Sequence, residues 1–325
     1  MNDCRKLLQV LAAGRPVSGV ELARQLGISR AAIWKQVEGL RANGLSIEAK
    51  PGQGYILQHT LELLKVEAIR QALPAAVRQR LGTTEVHWRL DSSSSEIQRR
   101  LEELENASFV FTETQTRGRG RRGRSWQTPP TLGLTFSMLW RFDKDFSGLA
   151  GLSLAVGVAV SEALARCGAC GIGLKWPNDL QHARTKLGGI LVELSGDFLG
   201  PCQAVIGIGI NWRLPTHMRD QLDQPVSDLT EACPGGLPSR NRLAASLVTA
   251  LIQAMDCFAE RGFAAFQQRY TTLDVLQGQT LMVFQGNRSY PARGAGVDRR
   301  GALRVVHEAG RIEILDSAEV TVRTS

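Results

Sequence analysis

The stretch FVFTETQTRGRGRRGRSWQTPPTLGLTFSMLW at residues 109–140 places an arginine–glycine tract between two apolar segments. Both flanking segments have the apolar, strand-like composition of a folded core. Within residues 117–124, five arginines and three glycines stand without an acidic side chain. The stretch therefore poses a choice between a nucleic-acid-binding tail and a loop that holds an anion inside a folded domain.

A disordered Arg-Gly tail that binds RNA is one interpretation of this composition. The tract is only eight residues long, however, and both of its ends lie in predicted core segments, which favours a ligand loop. Glycines let backbone N–H groups approach a ligand, and arginines present planar forks to phosphate or carboxylate oxygens. Because five like charges repel one another, we expect the loop to be mobile when empty and ordered by an anion.

The remaining composition is that of a multidomain globular protein. The chain has 325 residues, of which 43% are hydrophobic and 22% are charged. No apolar run approaches the ~20 residues of a membrane span, and the N-terminus lacks a secretory pattern, so we expect a cytoplasmic protein without a membrane partner. Six scattered cysteines do not indicate a disulfide framework. Cys167 and Cys170 form a lone CxxC, which favours structural thiols over a metal or redox site.

The net charge of +8 is concentrated in two places. Residues 1–60 hold eight Lys/Arg against four Asp/Glu, and residues 117–124 add five arginines without an acid. A polyanion is therefore expected to meet the protein at these two segments.

Residues 1–60 have the pattern of a winged helix-turn-helix domain. A first helix is predicted near the start, Ser18 caps a second, and Ser29 caps a third after a tight turn at Gly27. The sequence LSIEAKPGQGYIL that follows alternates around a glycine-rich turn and predicts a β-hairpin. In this arrangement the third helix enters the major groove of DNA. The predicted DNA contacts are Ser29, Arg30, Trp34, Lys35, Gln36 and Lys50.

A small helical protein-interaction domain with a solvated charged face is the alternative for this segment. No single element decides between the two. Helix lengths, turn, charge sign and hairpin all agree with one another, however, and this agreement favours DNA binding.

Two further domains are predicted after residue 60. A helical connection interrupted by Pro74 leads into an α/β domain over 61–272. The predicted strands of this domain are 109–112, 132–140, 172–175, 186–194 and 205–210. Its clearest predicted helices are 151–166 and 240–260. Helix signals end near Val275, and short alternating runs punctuated by glycine predict a small β-barrel-like domain over 273–325.

Three further motifs bring polar side chains to the strands of the α/β domain. They are LKWPNDL with Asn178 and Asp179, TKLGGILVEL with Lys186, and VIGIGINW with Asn211. Each alone has a structural explanation, such as a solvated lysine, packing glycines or a turn-forming asparagine. Together with the arginine tract, they supply amine, amide and carboxylate groups on which an anion-binding loop can close.

The segments GRGRRGRSW, KWPNDL, KLGGILVEL and GIGIN, in this order and spacing, resemble the biotin protein ligases. The N-terminal helix-turn-helix makes the chain similar to their bifunctional class, which is both a ligase and a repressor of biotin synthesis. The resemblance covers nearly the whole chain. It implies an α+β multidomain fold with an N-terminal winged helix-turn-helix, a central class II synthetase-like mixed α/β domain and a C-terminal SH3-like β-barrel.

Site residues follow from the resemblance position by position. The family's biotinyl-adenylate loop corresponds to the arginine tract, and catalytic roles are implied for Lys186, Arg119 and Arg121. The implied biotin contacts are Ser92, Ser93, Ser94, Gln115, Gly118, Arg119, Gly120, Arg121 and Lys186. The implied nucleotide contacts are Arg121, Arg122, Arg124, Trp126, Asn178, Asp179, Asn211 and Arg323.

Three positions depart from the family pattern or extend it. Ser94 replaces the asparagine that family members often carry. Val226 stands at the place of an adenine-stacking tryptophan, for which Trp212 is the candidate substitute. Asp179 is the implied ligand of a Mg²⁺ cofactor.

The residue types suit the chemistry that the resemblance implies. The biotin carboxylate attacks the α-phosphate of ATP, and Lys186, the tract arginines and Mg²⁺ neutralise the charges that this brings together. A closed lid then protects the mixed anhydride from water until a lysine of a biotin carrier protein attacks it. The implied partners are a biotin carboxyl-carrier protein domain, operator DNA, and a second copy in a homodimer promoted by the adenylate.

Three alternative functions stay open at this point. The chain could be a biotin-sensing repressor without turnover, or a ligase whose N-terminal domain no longer binds DNA. A lipoate ligase is a more distant alternative, since its members usually lack the tandem glycine–arginine tract.

Overall fold

The chain folds into three consecutive parts, each with its own sheet. The structure, a computed structural model, describes residues 4–196, 200–222, 224–286, 288–316 and 320–324. In 320–324, Val322 is the one residue whose side chain is described.

Eleven α-helices occur in the described residues: α1 (Arg5–Leu11), α2 (Gly19–Leu26), α3 (Arg30–Ala42), α4 (Val66–Ala72), α5 (Ala75–Arg80), α6 (Ser93–Arg99), α7 (Leu152–Arg166), α8 (Thr216–Arg219), α9 (Leu229–Ala232), α10 (Arg240–Arg261) and α11 (Gln267–Leu273). The strands are β1 (Ile47–Lys50), β2 (Gly54–Leu57), β3 (Thr84–His87), β4 (Ser108–Thr112), β5 (Gln115–Arg119), β6 (Ser125–Thr128), β7 (Gly133–Phe142), β8 (Ile172–Lys175), β9 (Asp179–His182), β10 (Thr185–Gly196), β11 (Cys202–Asn211), β12 (Thr280–Gln285), β13 (Arg288–Val297), β14 (Leu303–Val306), β15 (Ile312–Leu315) and β16 (Val320–Thr324).

The N-terminal part contains the predicted three helices and the predicted hairpin. Ser18 Oγ accepts a hydrogen bond from Glu21 N–H, and Ser29 Oγ accepts one from Ala32 N–H, each at 3.1 Å. Gly27 ends α2 with a φ of 64°, a left-handed conformation that glycine adopts without strain. The caps and the turn predicted from sequence are therefore confirmed. The helices enclose a core that includes Leu7, Leu8, Leu11, Leu22, Ile33, Val37 and Leu40.

The central part is built on a seven-stranded mixed sheet in the order β3-β4-β7-β11-β10-β9-β8. Only the pair β3–β4 is parallel, and the other neighbours are antiparallel. Helices α7 and α10 cover one face with a large apolar core, in which Phe111 and Phe136 stack at 4.8 Å. Helix α6 covers the other face and leaves room there for the β5–β6 hairpin. This second face carries the candidate site.

Two helical segments of the central part are long and apolar enough to cross a membrane by length and composition. They are Phe146–Arg166 and Arg240–Arg261. In the most apolar 18 residues of each segment, 67% and 61%, respectively, are buried inside the fold. The expectation that no apolar run approaches spanning length is corrected here. Both segments pack against the central sheet, because burying an apolar helix between sheet and neighbouring helix removes the same surface from water as a membrane would.

The C-terminal part is an antiparallel sheet in the order β15-β14-β13-β12-β16. Its alternating burial places Leu281, Val283, Leu303 and Val305 in the core that it shares with the central part. The sequence prediction of short strands after the last helix is thereby confirmed.

The three parts are joined by specific contacts. Gly44, which follows α3, packs so closely on Leu132 and Met218 of the central part that a β-carbon there would lie 3.1 and 2.7 Å from their side chains. Arg240, 1% exposed, donates to Glu113 Oε2 at 2.9 Å, and its Nη1 also donates to the Glu62 carbonyl. The segment that follows the N-terminal hairpin is thus bound to the central sheet.

Candidate functional site

The arginine–glycine tract forms a β-hairpin in the structure, where the sequence predicts a loop. Strands β5 and β6 pair antiparallel, and a 3₁₀ turn (Arg121–Gly123) joins them. Gly120 N–H donates to Arg124 O at 2.7 Å and closes the tip. The hairpin is held at its base because Arg117 N–H donates to Asp91 O at 2.8 Å. Backbone pairing therefore gives the tract regular structure, and its ordering by an anion stays a prediction.

Three buried serines and the half-buried Gln115 form a polar cluster at the base of the hairpin. Ser93 N–H and Oγ–H both donate to Gln115 Oε1, at 2.8 and 3.1 Å. Ser137 Oγ lies 2.7 Å from Ser93 Oγ and 2.9 Å from Ser94 Oγ. Ser93, Ser94 and Ser137 are at most 4% exposed. The cluster presents hydroxyl and amide groups inside the fold, which is how proteins orient a small polar ring.

The serine pair and Gln115 are brought together as the sequence analysis predicts, but Ser137 was missed. Strand β7 is buried on both faces, and Thr135 and Ser137 interrupt its apolar residues at alternate positions. That alternation is the sequence signal that could have revealed the cluster. Ser92 serves locally as the N-cap of α6, since its Oγ accepts from Ser95 N–H at 3.4 Å.

Glycines make space for this cluster on the sheet and in the hairpin. A β-carbon at Gly207 would lie 2.7 Å from Ser94 Oγ. A β-carbon at Gly118 would lie 2.6 Å from Gln115 Nε2 and would also collide with the Trp126 carbonyl. Both positions therefore exclude any side chain unless the site moves.

Trp126 lies against the backbone of β11. A β-carbon at Gly209 would collide with its indole ring, whereas one at Gly189 would be in ordinary contact with it at 3.7 Å. Lys186 Nζ lies 5.9 Å from the ring centroid, within range of a cation–π interaction. The glycines of the GGILVEL and GIGIN segments thus accommodate the hairpin tryptophan, which brings it beside Lys186.

Lys186 and Asp179 form an ion pair at 2.8 Å, with side chains 17% and 20% exposed. They face each other because β9 and β10 are adjacent antiparallel strands with a register shift between Lys186 and Gly188. Burial, together with the nearby charge of Arg122, lowers the pKa of Arg121, while Asp179 and Asp316 oppose part of that shift. The hairpin tip therefore lies near carboxylates of both the central and the C-terminal sheets.

Arg119 is half-buried and contacts side chains of both α6 and β10. Its Nη2 donates to Glu193 Oε2 at 2.7 Å and to Gln98 Oε1 at 3.0 Å. The sequence analysis did not predict Glu193 and Gln98. These two side chains hold the Arg119 guanidinium between α6 and β10. Arg122, with a φ of 56°, and Arg124 lie at the exposed tip of the hairpin.

The two predicted asparagines hold backbone in place. Asn178 Nδ2 donates to Ile190 O at 2.8 Å, which fixes the turn before β9. Asn211 Nδ2 donates to Ser227 O at 2.9 Å and to Lys186 O at 3.3 Å. Their amides therefore position Asp179 and Lys186, and direct contact with a nucleotide stays a prediction.

The described residues contain no group of three His, Cys, Asp or Glu side chains that could hold a metal ion. Asp179 is paired with Lys186 and belongs to no such group among the described residues. A resident Mg²⁺ site does not fit these residues, because Mg²⁺ requires several oxygen ligands around it.

The remaining predicted nucleotide residues lie in different places. Val226 forms a β-bridge with Lys186 and so lies beside the site. Trp212 is 8% exposed, with the Arg240 guanidinium 5.8 Å from its ring centroid. The Trp212 ring is therefore in contact with Arg240, which also binds Glu113 and Glu62. This contact disfavours Trp212 as the residue that stacks on adenine. The side chain of Arg323 lies outside the described residues.

The predicted DNA contacts lie at the start and along α3, except Lys50, which ends β1. Trp34 is 59% exposed, and Arg30 and Lys35 are also exposed on α3. Gln36 and Lys50 are half-buried, and Ser29 serves as the cap of α3.

Two protein families match parts of the chain. The HTH domain family matches residues 4–56, and the Biotin/lipoate A/B protein ligase family matches residues 86–211. The second match spans the polar cluster, the arginine hairpin, Asp179 and Lys186.

Relatives match over almost the full chain. The bifunctional ligase/repressor BirA of Escherichia coli is 35% identical over 320 residues, covering 98% of this chain and 97% of the relative. BirA of Salmonella typhimurium is 34% identical over 319 residues with the same coverage. Among solved structures, biotin protein ligase from Aquifex aeolicus in complex with biotin and ATP is similar with a TM-score of 0.66 and 26% identity, covering 75% of this chain and 99% of that one.

Proposed function

Because the chain belongs to the family of bifunctional biotin ligases and repressors, we propose that it joins biotin to a lysine of a biotin carrier protein through biotinyl-5'-AMP. The observation that carries this function is the convergence of the polar cluster, the arginine hairpin and the Lys186–Asp179 pair on one face of the central sheet. The N-terminal part, with its exposed basic helix, represses biotin synthesis genes in the same proposal.

The polar cluster is the proposed site for the ureido ring of biotin. Ser93, Ser94, Ser137 and Gln115 combine hydroxyl donors with amide groups in a buried setting. A site of this kind rejects analogues that lack matching polar groups, since its own buried groups would then stay unpaired. Ser137 holds the two serine hydroxyls in place of the missing asparagine.

The Lys186 side is the proposed site of adenylation. The reaction joins the biotin carboxylate to the α-phosphate, so negative charges must be brought together and neutralised. Lys186 Nζ forms an ion pair with Asp179, and the charge of Asp179 also opposes the lowering of the Arg121 pKa. Substrate phosphate replaces that carboxylate as their partner. Bound Mg²⁺ travels with ATP and neutralises phosphate charge.

The hairpin is the proposed lid over the mixed anhydride. Trp126 covers the glycine face of β10 and β11, and the half-buried Arg121 at the tip is influenced by the charges of Asp179 and Asp316. Excluding water protects the adenylate until the carrier lysine amine attacks the acyl carbon and expels AMP. Opening of the hairpin admits that amine.

The ligase function is tested by the intact mass of a purified biotin carrier domain after incubation with this protein, biotin and Mg-ATP. We expect the gain of one biotinyl group, lost when ATP is omitted. Biotin binding without any gain would identify a sensor that does not turn over. Transfer of lipoate in preference to biotin would assign the chain to the other branch of the matched ligase family.

Repression requires DNA binding by a dimer in this proposal. Strand β9 pairs with β10 only as far as Gly189, and Ile190 is hydrogen-bonded to Asn178, so residues 191–196 of β10 have no strand neighbour on that side within the described chain. Leu194 on that edge is 41% exposed. Such an edge can pair with its symmetry copy in a dimer. The paired N-terminal parts would act as winged helices on an operator with two half-sites.

Two measurements test the repressor arm. Sedimentation with biotin and ATP is expected to show a dimer, and an unchanged monomer mass would remove the dimer from the proposal. A mobility shift on biotin-operon DNA that weakens with salt is expected for a functional DNA-binding domain. Its absence in an active ligase would mean that the N-terminal part is vestigial.

The finer fold assignments and the location in the cell belong to this proposal as well. We expect the C-terminal strands to form an SH3-like barrel and the central part to share the class II synthetase arrangement. The domain boundaries near residues 60 and 272 and the cytoplasmic location follow from the same family assignment.

A further inference from the structure

We propose that Trp176 is a positioning residue through which the C-terminal sheet sets the nucleotide side of the site. Its indole N–H donates to the Gly301 carbonyl at 3.0 Å, across 125 positions of sequence. Trp176 begins the turn that presents Asn178 and Asp179. The inference rests on the proposed ligase function, because it concerns how that site binds ATP.

The Trp176 side chain is enclosed at the boundary between the central and C-terminal parts. It is 2% exposed and belongs to the main apolar core. A buried indole N–H needs a hydrogen-bond acceptor, because leaving the donor unpaired destabilises the fold. The Gly301 carbonyl is the acceptor, so the orientation of the indole depends on where the C-terminal turn lies.

The turn that carries Gly301 is rigid. The Asp298 carboxylate accepts hydrogen bonds from Arg300 N–H at 2.8 Å and Ala302 N–H at 2.9 Å. Gly301 has a φ of 80°, and a β-carbon there would lie 2.8 Å from the Gly151 Cα. The turn is therefore seated against the start of α7 and offers a fixed carbonyl to Trp176.

On the other side of Trp176, each residue of the turn is also held. Ser153 Oγ–H donates to the Pro177 carbonyl at 3.1 Å. Asn178 exchanges hydrogen bonds with Ile190, whose N–H donates to the Asn178 carbonyl at 3.0 Å. Asp179, the next residue, forms the ion pair with Lys186. Only Pro177 and Asn178 thus lie between Trp176, which is bound to Gly301, and Asp179, which is paired with Lys186.

The alternative is that Trp176 contributes only apolar packing. The two roles predict different results for Trp176→Phe, which keeps an aromatic ring and removes the N–H. Packing alone would lower the unfolding temperature without selective loss of any substrate. Positioning would raise the KM for ATP while the affinity for biotin, bound at the polar cluster, stays unchanged.

Asp298 provides a second, independent arm because it lies in the C-terminal turn, away from the candidate site. Asp298→Ala removes the acceptor that fixes the turn, and Asp298→Asn retains an acceptor oxygen. We expect Asp298→Ala to reproduce the ATP effect of Trp176→Phe and Asp298→Asn to restore most of it. Trp140→Phe is the matched control, because Trp140 is a buried core tryptophan that packs on Phe142 in β7.

The experiment measures biotin-dependent pyrophosphate release against ATP concentration in the full chain, with biotin affinity and unfolding temperature measured in parallel. Trp176→Phe and Asp298→Ala are each expected to raise the KM for ATP on the order of fivefold, the loss of one hydrogen bond. The proposal is overturned if the KM for ATP is unchanged, if Trp140→Phe has the same effect, or if biotin affinity falls equally.

Failure of the proposed function would be visible separately, as wild-type protein that releases no pyrophosphate. Amide hydrogen exchange of residues 175–180 then tests the positioning without activity. Exchange there is expected to rise in Asp298→Ala and to stay at the wild-type level in Asp298→Asn. Unchanged exchange in both variants would overturn the inference. Because the exchange measurement uses only the Asp298 variants, it also tests the inference if Trp176→Phe does not fold.

Discussion

The arginine hairpin and helix α3 carry the two concentrations of positive charge, and the fold uses them in opposite ways. In the hairpin, Arg119 reaches inward to Glu193, and burial lowers the pKa of Arg121. On α3, Arg30 and Lys35 point into solvent. Inward charge with carboxylate neighbours suits a small anion that replaces those neighbours, whereas outward charge suits a polyanion. The number of positive charges in a segment thus indicates an anionic partner. The burial of those charges indicates whether that partner is a small ligand or a polyanion.

The largest expected effect comes from Lys186→Ala, which tests the inward region. We expect adenylation to fall on the order of 10²- to 10³-fold, because a preorganised charge beside the reacting phosphate is lost. Pyrophosphate release at saturating substrates measures it. DNA binding of the ligand-free variant serves as the control and should stay at the wild-type level. Adenylation at the wild-type rate would remove Lys186 from the catalytic group.

Gly209→Ala tests whether the hairpin must lie against the sheet. Its β-carbon would collide with the Trp126 ring, and overpacking of this kind costs about 1–3 kcal/mol. We expect the KM for biotin to rise roughly tenfold and the tryptophan fluorescence to shift. Gly189→Ala is the matched control, since Gly189 is paired with Gly209 in register and its β-carbon would make only ordinary contacts. Equal behaviour of the two variants would contradict the contact.

Arg121→Ala tests the lid. The variant loses a charge-assisted contact worth about 1.5–3 kcal/mol, so we expect biotinyl-adenylate to dissociate at least tenfold faster. Stopped-flow release of the adenylate measures this rate. Arg117→Ala, at an exposed arginine of the same hairpin with no assigned ligand contact, should change it much less. Unchanged release in Arg121→Ala would show that the hairpin is not the lid.

The smallest effect is expected from Lys35→Ala in the outward region. Losing one phosphate contact should weaken DNA binding modestly and reduce the slope of log affinity against log salt by about one. Ligase activity should stay unchanged, because Lys35 lies on α3 and outside the central part. A ligase defect in this variant would mean that the two charged regions are not separate in function.

Local structure was largely readable from the sequence. Ser18, Gly27 and Ser29 specify helix starts and a turn through contacts within four residues. The apolar periodicity of α7 and α10 and of the strands placed the central elements within a few residues of their observed bounds. Such patterns are predictable because each residue's partner is a near neighbour or the common core.

The components of the site were also readable, but their partners were not. Gln115, Ser93 and Lys186 were identified from motifs, whereas Ser137 and Glu193 were not. Ser137 lies 43 and 44 positions from its two serine partners, and no local pattern records such a separation. The tract at 117–124 was predicted as a loop because its composition is a local feature. The anchoring of Arg117 to Asp91 and the packing of Trp126 on Gly209 are not local.

The sequence by itself determined the helix caps, the order of strands and helices, the two charged segments and the motifs that place the chain in its family. Tertiary structure alone decided that Asp179 faces Lys186, that Trp126 lies on Gly209, and that Trp176 is tied to the C-terminal turn. The physical reason is the range of the interactions. Caps and periodicity act over one or two turns of chain, whereas ion pairs and close packing between strands depend on register and on which faces meet.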